Sequence, residues 1–207
     1  MKEYDTYIFD FDGTIVDSEA SLFPVFKAAF AEIGREVTRE ESNQYIHISL
    51  GETMALTKIE GEDRQRFMDS ILVHLDDPES IAMIRFFPEA EEVFKELLAR
   101  GKKIGIGSNN VVKHMNLVLD GLNGRDYFMT IVGSDRVAHA KPAPDIMYLA
   151  CEDLGVPCNE KAVYVGDSLQ DVATGLASGA DGILVDRRNE HPDFDGKRIS
   201  SLKELLL

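Results

Sequence analysis

Carboxylates, a hydroxyl and a lysine recur in four short segments of the chain: Asp10-Phe11-Asp12-Gly13-Thr14, Ser108-Asn109, Lys141-Pro142-Ala143-Pro144-Asp145 and Gly166-Asp167-Ser168-Leu169-Gln170-Asp171. Together they are the parts that phosphoryl transfer requires: a nucleophile, an oxygen cage for a hard cation, and donors for the phosphoryl oxygens. Mg²⁺ takes oxygen ligands in an octahedron and keeps several waters, so two aspartates and a main-chain carbonyl suffice, and Asp10, the carbonyl of Asp12 and Asp167 supply that set. Each segment also has a plainer reading when taken singly. Asp12-Gly13 is a turn, Ser108 a helix N-cap, Lys141 a solvated lysine before a proline-started helix, and Ser168 with Asp171 a capping box. What raises the chemical reading above these is the joint occurrence of all four in this order.

For the segments to act together, the chain must bring them to one edge. Tyr7-Ile8-Phe9 is a short β-prone run that ends abruptly at Asp10, so a first strand delivers two aspartates at its C-terminal end. From 17 to 85 the pattern is helical: Leu22, Phe26, Phe30 and Ile33 keep one face, Thr38 with Glu41 makes a capping box, and Asp77-Pro78 breaks the period. From Pro88, read as a first helical position, the chain alternates regularly. A helix runs to Gly101, followed by strand 103–107, helix 110–120, strand 129–133, helix 144–154, strand 162–165, helix 169–178, strand 182–185 and a short final helix. Repeated βα units predict an α/β fold, a doubly wound parallel sheet with an all-helical cap inserted after the first strand. The expected division is a core of residues 1–16 and 86–207 and a cap of residues 17–85, the cap roofing the strand ends where ligands of such sheets bind.

Composition narrows the partners. The 207 residues carry a formal charge of −15, which repels nucleic acid phosphates and anionic membranes. An anionic substrate then needs a locally positive site, which is possible because screening confines charge effects to about 8 Å at physiological salt. No apolar run approaches the roughly 18 residues that span a bilayer, and Met1-Lys2-Glu3-Tyr4-Asp5 is too charged for a signal peptide, so a cytoplasmic protein is expected. Cys151 and Cys158 lack a metal-type partner set and read as reduced thiols.

The motifs Asp-x-Asp-Gly-Thr, Ser-Asn, Lys-Pro-x-Pro-Asp and Gly-Asp-Ser-x-x-Asp, in this order and in this βα pattern, resemble the haloacid dehalogenase-like superfamily on its phosphatase branch, with a small helical cap. The resemblance spans nearly the whole chain. It implies Mg²⁺ as cofactor and small phosphate monoesters, phosphoglycolate-like acids or phosphorylated sugars, as substrates. Asp10 resembles the nucleophile that forms an aspartyl-phosphate, and Asp12 the general acid that protonates the leaving oxygen and then activates water. Ser108, Asn109 and Lys141 resemble the phosphate-binding positions. Asp10, Asp12 and Asp167 resemble the metal ligands, Asp171 the outer acidic residue that orients Lys141 or a metal-bound water, and Gly51 the glycine of the substrate-facing cap turn. His47, Lys58 and Arg35 lie nearby in the cap without an assigned role. Two departures, Glu89 in place of a glycine and Ile15 in place of a leucine, are read as lying away from the chemistry. A dehalogenase is disfavoured because a halide needs no proton and Asp12 is present. The alternatives are a sugar phosphomutase of the β-phosphoglucomutase type and a non-catalytic phosphate-sensing or partner-binding module. A monomer or weak homodimer is expected.

Overall fold

The computed structural model describes residues 2–45 and 50–207. The chain forms two compact units, Met1–Asp17 with Arg85–Leu207, and Ser18–Ile84.

The first unit is built on β1 (Thr6–Phe9), β2 (Val16–Asp17), β3 (Arg85–Phe86), β4 (Lys103–Gly107), β5 (Thr130–Val132), β6 (Ala162–Gly166), β7 (Asp181–Val185) and β8 (Arg198–Ile199). Six of these make one sheet in the order β5-β4-β1-β6-β7-β8, and every pairing in it is parallel. β2 and β3 form a separate antiparallel ladder, Val16 opposite Phe86 and Asp17 opposite Arg85. The helices of this unit are numbered after those of the other: α1 (Glu19–Glu32), α2 (Arg39–Tyr45), α3 (Leu50–Leu56), α4 (Glu62–Leu75) and α5 (Pro78–Ile81) belong to the second unit, and α6 (Ala90–Ala99), α7 (Val112–Gly121), α8 (Asp145–Leu154) and α9 (Leu169–Ala177) to the first.

A parallel strand covered on both faces has no solvent side, and β6 is accordingly buried at all of its residues. The period-2 alternation of β1 divides its side chains between two layers. Ile8 joins Tyr164, Val132 and the α8 residues Ile146, Met147 and Ala150 in one apolar cluster. Phe9 points the other way and meets Phe94 of α6, ring centroids 5.6 Å apart at a steep angle. Phe94 is itself fully buried and also contacts Phe128 at 5.0 Å, Tyr127 at 5.6 Å and Phe86 at 5.9 Å. It thus ties the β2–β3 ladder to the sheet.

The second unit has its own core. Phe26 and Phe30 on α1 face Phe67 and Ile71 on α4, with Met54 and Ile59 between, and Leu22 and Ile33 packed against the cluster. The Thr38–Glu41 box is formed, Thr38 N–H donating to Glu41 Oε2 at 2.8 Å and Glu41 N–H to Thr38 Oγ1 at 3.2 Å. Pro78 opens α5 at its first turn.

Two local features differ from the sequence reading. The helix expected from Pro88 begins at Ala90, with Glu89 at the N-cap position and Phe87 C=O accepting from Ala90 N–H in the turn before it. The β2–β3 ladder and β8 are two-residue strands, too short to leave a periodic signal. Cys151 and Cys158 are free thiols, in agreement with the sequence reading. No helix among the described residues is long and apolar enough to cross a membrane.

Replacing Phe94 by Ala should lower the unfolding free energy by about 3–5 kcal/mol, with Phe94→Leu losing less, because a closed aromatic cluster cannot collapse around the void. Urea denaturation of the two variants beside the wild type, at an unchanged m-value, checks this; a loss below about 1 kcal/mol for the Ala variant would show that Phe94 is not a keystone of the cluster.

Candidate active site

β4, β1 and β6 are neighbours, and the residues just past their C-terminal ends are Ser108, Asp10 and Asp167. The final ladder bonds fix the first two: Asp10 N–H donates to Val165 C=O at 2.8 Å and Ser108 N–H to Val132 C=O at 2.9 Å. Both side chains are buried. Three chemistry-bearing segments therefore converge because the strands that carry them are adjacent, at the sheet edge where such folds hold ligands.

Lys141 arrives from the loop between β5 and α8. Its Nζ lies 2.7 Å from Asp10 Oδ1 and 2.6 Å from Asp171 Oδ1, with all three side chains shielded from solvent. Its main chain is held as well, Lys141 N–H donating to Asn109 Oδ1 at 2.7 Å and Asn109 Nδ2 donating back to Lys141 C=O at 3.4 Å. Beneath it, the ring of Tyr164 lies 5.6 Å from Nζ, and the Tyr164 hydroxyl donates to Gly107 C=O. Burial works against the charge on Lys141, but the carboxylates of Asp10 and Asp171 more than offset it and hold its pKa well above the ordinary lysine value.

Asp171 has two jobs. Its Oδ2 accepts from Ser168 N–H at 2.9 Å and Ser168 Oγ at 2.6 Å, closing the capping box of α9, while its Oδ1 faces Lys141. One side chain thus closes the helix cap and bonds the lysine. Close packing leaves no room here: a Cβ on Gly166 would lie 2.2 Å from Asp171 Cγ, and one on Gly13, whose φ is +73°, would lie 2.1 Å from Asp167 Oδ2. Thr14 Oγ1 also donates to Asp167 Oδ1, at 3.4 Å.

Asp12 is half-buried, and its Oδ2 accepts from Asn110 Nδ2 at 3.1 Å. Asn110 N–H in turn donates to Ser108 Oγ at 3.2 Å. A hydroxyl that accepts in this way keeps its own proton to donate elsewhere. Asn110, Tyr164 and Arg187, which donates to the carbonyls of Gly13 and Thr14, are site-forming residues absent from the sequence reading. The doubled asparagine after Ser108 was the one available signal; Tyr164 sits inside an apolar strand and Arg187 in an unpatterned loop.

Among the described residues, Asp10, Asp167 and Asp171 can each offer one carboxylate oxygen such that the three oxygens lie within 4.8 Å of one another. Oxygens around one Mg²⁺ at about 2.1 Å are at most about 4.2 Å apart, so a small contraction would let two or three of them share an ion. Burial, with the charges of Asp171 and Asp167 adding to it and Lys141 opposing, pushes Asp10 up to about 8. Packing around the carboxylate of Asp167, then the charge of Asp171, pushes Asp167 up to about 6, although the residue's outer surface is open to solvent. One ammonium among three carboxylates leaves negative charge that a hard divalent cation would neutralise, and the all-oxygen donor set fits such an ion.

In the helical unit, Gly51 is exposed on α3. Arg35 is engaged by main-chain carbonyls, donating to Thr57 C=O at 2.6 Å and Lys58 C=O at 3.3 Å, and Lys58 is exposed. His47 lies outside the described residues.

A sequence profile described as haloacid dehalogenase-like hydrolase matches residues 7–185. A phosphoglycolate phosphatase of Aquifex aeolicus is 29% identical over 206 residues, covering 96% of this chain and 95% of that one. The pyrophosphatase PpaX of Oceanobacillus iheyensis is 30% identical over 211 residues, covering 97% and 94%. Among solved structures, a hydrolase of the same family from Deinococcus radiodurans, crystallised with bound phosphate and sodium, superposes with a TM-score of 0.72 at 26% identity over 98% of this chain and 93% of that one.

The raised carboxylates set a pH dependence. Asp10 and Asp167 ionise near 8 and 6 in the folded chain but near the ordinary 3.8 when unfolded, so the folded state binds more protons between those values. Stability from these groups is complete below about pH 4 and is lost as pH rises through 6 and 8. Metal-free wild type should therefore lose melting temperature from pH 5.5 to 8.5 relative to Asp10→Asn, which carries no such charge. Parallel melting profiles for the two proteins in chelator would refute the assignment.

Proposed function

Because the chain belongs to the haloacid dehalogenase-like hydrolases and is a phosphatase of that family, we propose that it hydrolyses small phosphate monoesters through an aspartyl-phosphate on Asp10, with Mg²⁺ as cofactor. The observation that carries this reading is the buried Lys141 bridging Asp10 and Asp171 at the end of the central strand. A carboxylate fixed by one oxygen on an ammonium is oriented for attack by the other, and burial strips the water that would otherwise compete.

In the first step a carboxylate oxygen of Asp10 bonds to phosphorus as the ester P–O bond breaks, and protonated Asp12 gives its proton to the departing alkoxide. In the second, Asp12 takes a proton from water as that water attacks phosphorus, the Asp10–phosphorus bond breaks, and inorganic phosphate leaves with both aspartates restored. Asn110 sets the orientation of Asp12 for both transfers. The Ser108 hydroxyl, the main-chain N–H of Asn109 and Lys141 donate to the phosphoryl oxygens; the Asn109 side chain is spent on the main chain of Lys141. Asp10, Asp167 and the main-chain carbonyl of Asp12 would hold Mg²⁺, which when bound would neutralise charge on the phosphoryl oxygens. Asp171 keeps Lys141 in place. Gly51, in the first turn of α3, is assigned the substrate-facing role in the helical unit, and the substrate class is a small phosphorylated acid or sugar, in line with the phosphoglycolate phosphatases among the relatives.

Phosphate release from 2-phosphoglycolate, hexose phosphates and pyrophosphate, measured with and without Mg²⁺, tests the reading. The wild type should release phosphate only with Mg²⁺, Asp10→Asn should lose at least about 10³-fold, and Asp12→Asn should lose about 10²–10⁴-fold on alkyl esters and less on aryl esters, whose leaving groups need no proton. Release that survives Asp10→Asn, or a wild type inert toward every compound, would defeat it; in the latter case the same panel would be searched for isomerised sugar phosphates.

A further inference from the structure

Arg187 stands two residues beyond β7, where three stretches of the sheet unit meet. Its Nη1 donates to Gly13 C=O at 2.9 Å, and its Nη2 donates to Thr14 C=O and to Glu89 Oε1, each at 2.9 Å. The guanidinium carbon lies 3.8 Å from the centroid of the Phe87 ring. Side-chain exposure is 18% for Arg187 and 13% for Glu89, so solvent screens the pair only partly. Phe87 is fastened to the same turn by its main chain, its N–H donating to Ile15 C=O at 3.1 Å.

A guanidinium is a planar fork, and here its prongs take two successive carbonyls of the turn that follows Asp10 and Asp12. That fixes the peptide planes on either side of Thr14. Gly13, one of the two clamped residues, is also the one that abuts Asp167 with no space for a Cβ. Any drift of the turn therefore alters the separation between the Asp10–Asp12 segment and Asp167. Glu89, read from the sequence as a departure away from the chemistry, is one hydrogen bond removed from the turn. Burial opposes its charge, but main-chain donors and Arg187 outweigh that and hold its carboxyl below the ordinary range.

We propose that Arg187, oriented by Glu89 and stacked on Phe87, is a positioning residue that holds the Asp10–Thr14 turn at the spacing from Asp167 which divalent-cation binding and turnover require. The inference rests on the reading of the site given under Proposed function. It concerns residues that touch neither substrate nor cation, and it distinguishes a clamp from an ordinary ion pair, which at a partly exposed position contributes little.

The test compares full-length wild type, Arg187→Lys, Arg187→Ala and Glu89→Gln by two readouts: the Mg²⁺ concentration that half-saturates the rise in melting temperature, which needs no turnover, and the split between kcat and KM on the best ester. Arg187→Ala should raise the Mg²⁺ midpoint about tenfold and lower kcat about tenfold while KM stays within about threefold, the usual scale for residues that orient metal ligands. Arg187→Lys, which can reach one carbonyl but not both, should fall between, and Glu89→Gln should move both readouts in the same direction by about threefold. A fall in melting temperature with the Mg²⁺ midpoint and kcat of Arg187→Lys and Glu89→Gln unmoved would overturn the proposal, leaving a purely structural pair; these two variants also decide the matter if Arg187→Ala does not fold. A wild type silent toward Mg²⁺ would overturn the reading of the site and this inference with it, whereas a responsive wild type with indifferent variants overturns this inference alone.

Discussion

The buried ammonium of Lys141 is the constraint around which the sheet edge is arranged. An isolated charge of this kind is unfavourable away from water by several kcal/mol, and it persists only with partners of opposite sign and good geometry. Two carboxylates at 2.6 and 2.7 Å provide them, and a tyrosine ring provides a polarisable floor. The partners come from different parts of the chain: Asp10 from the end of β1, Asp171 from the first turn of α9, Tyr164 from β6, with Asn109 holding the lysine's main chain from beyond β4. One side chain therefore couples four segments, and the loss of the lysine would leave the Asp10 carboxylate buried without the ammonium that balances it. Such a network specifies one arrangement of the edge more sharply than apolar packing would.

The same crowding makes the site electrostatically uneasy. Charges that repel are held together by the fold around them, through glycines that admit no side chain and through the Asp171 box that anchors α9. Positions where burial and like charges raise carboxylate pKa values are those at which binding an ion releases the most unfavourable energy. The global charge of −15 is no bar to an anionic ligand, because distant charges are screened and the Lys141 ammonium stands within the site itself.

Much of this was legible in the sequence, and the reasons differ by element. The strands β1, β4, β6 and β7 announce themselves as short apolar runs that stop at turn-forming residues, and the βα alternation then dictates a parallel sheet. Three of the four motif segments could be assigned to one edge because each directly follows such a run, whereas Lys141 comes from the loop well beyond β5. What could not be read were contacts between residues distant in sequence and unmarked by pattern. Arg187 lies in a loop beside a second arginine, and nothing local says that its fork will find Gly13 and Thr14. Asn110 differs from Asn109 only in which way the turn after Ser108 directs it. Two-residue strands such as β2, β3 and β8 are made by tertiary pairing alone, since periodicity needs length to show.

The β2–β3 ladder has a consequence for how such a chain can change. The sheet unit gives up the chain at Asp17 and takes it back at Arg85, and these two residues are paired across the ladder, so exit and return lie side by side. Whatever is spliced between them need only have neighbouring ends; its length sets no span that the sheet must bridge, and loop-closure entropy grows only slowly with the length inserted. The ladder thus acts as a port into which cassettes of different size can be exchanged, while the residues of the sheet edge stay in register on either side of it.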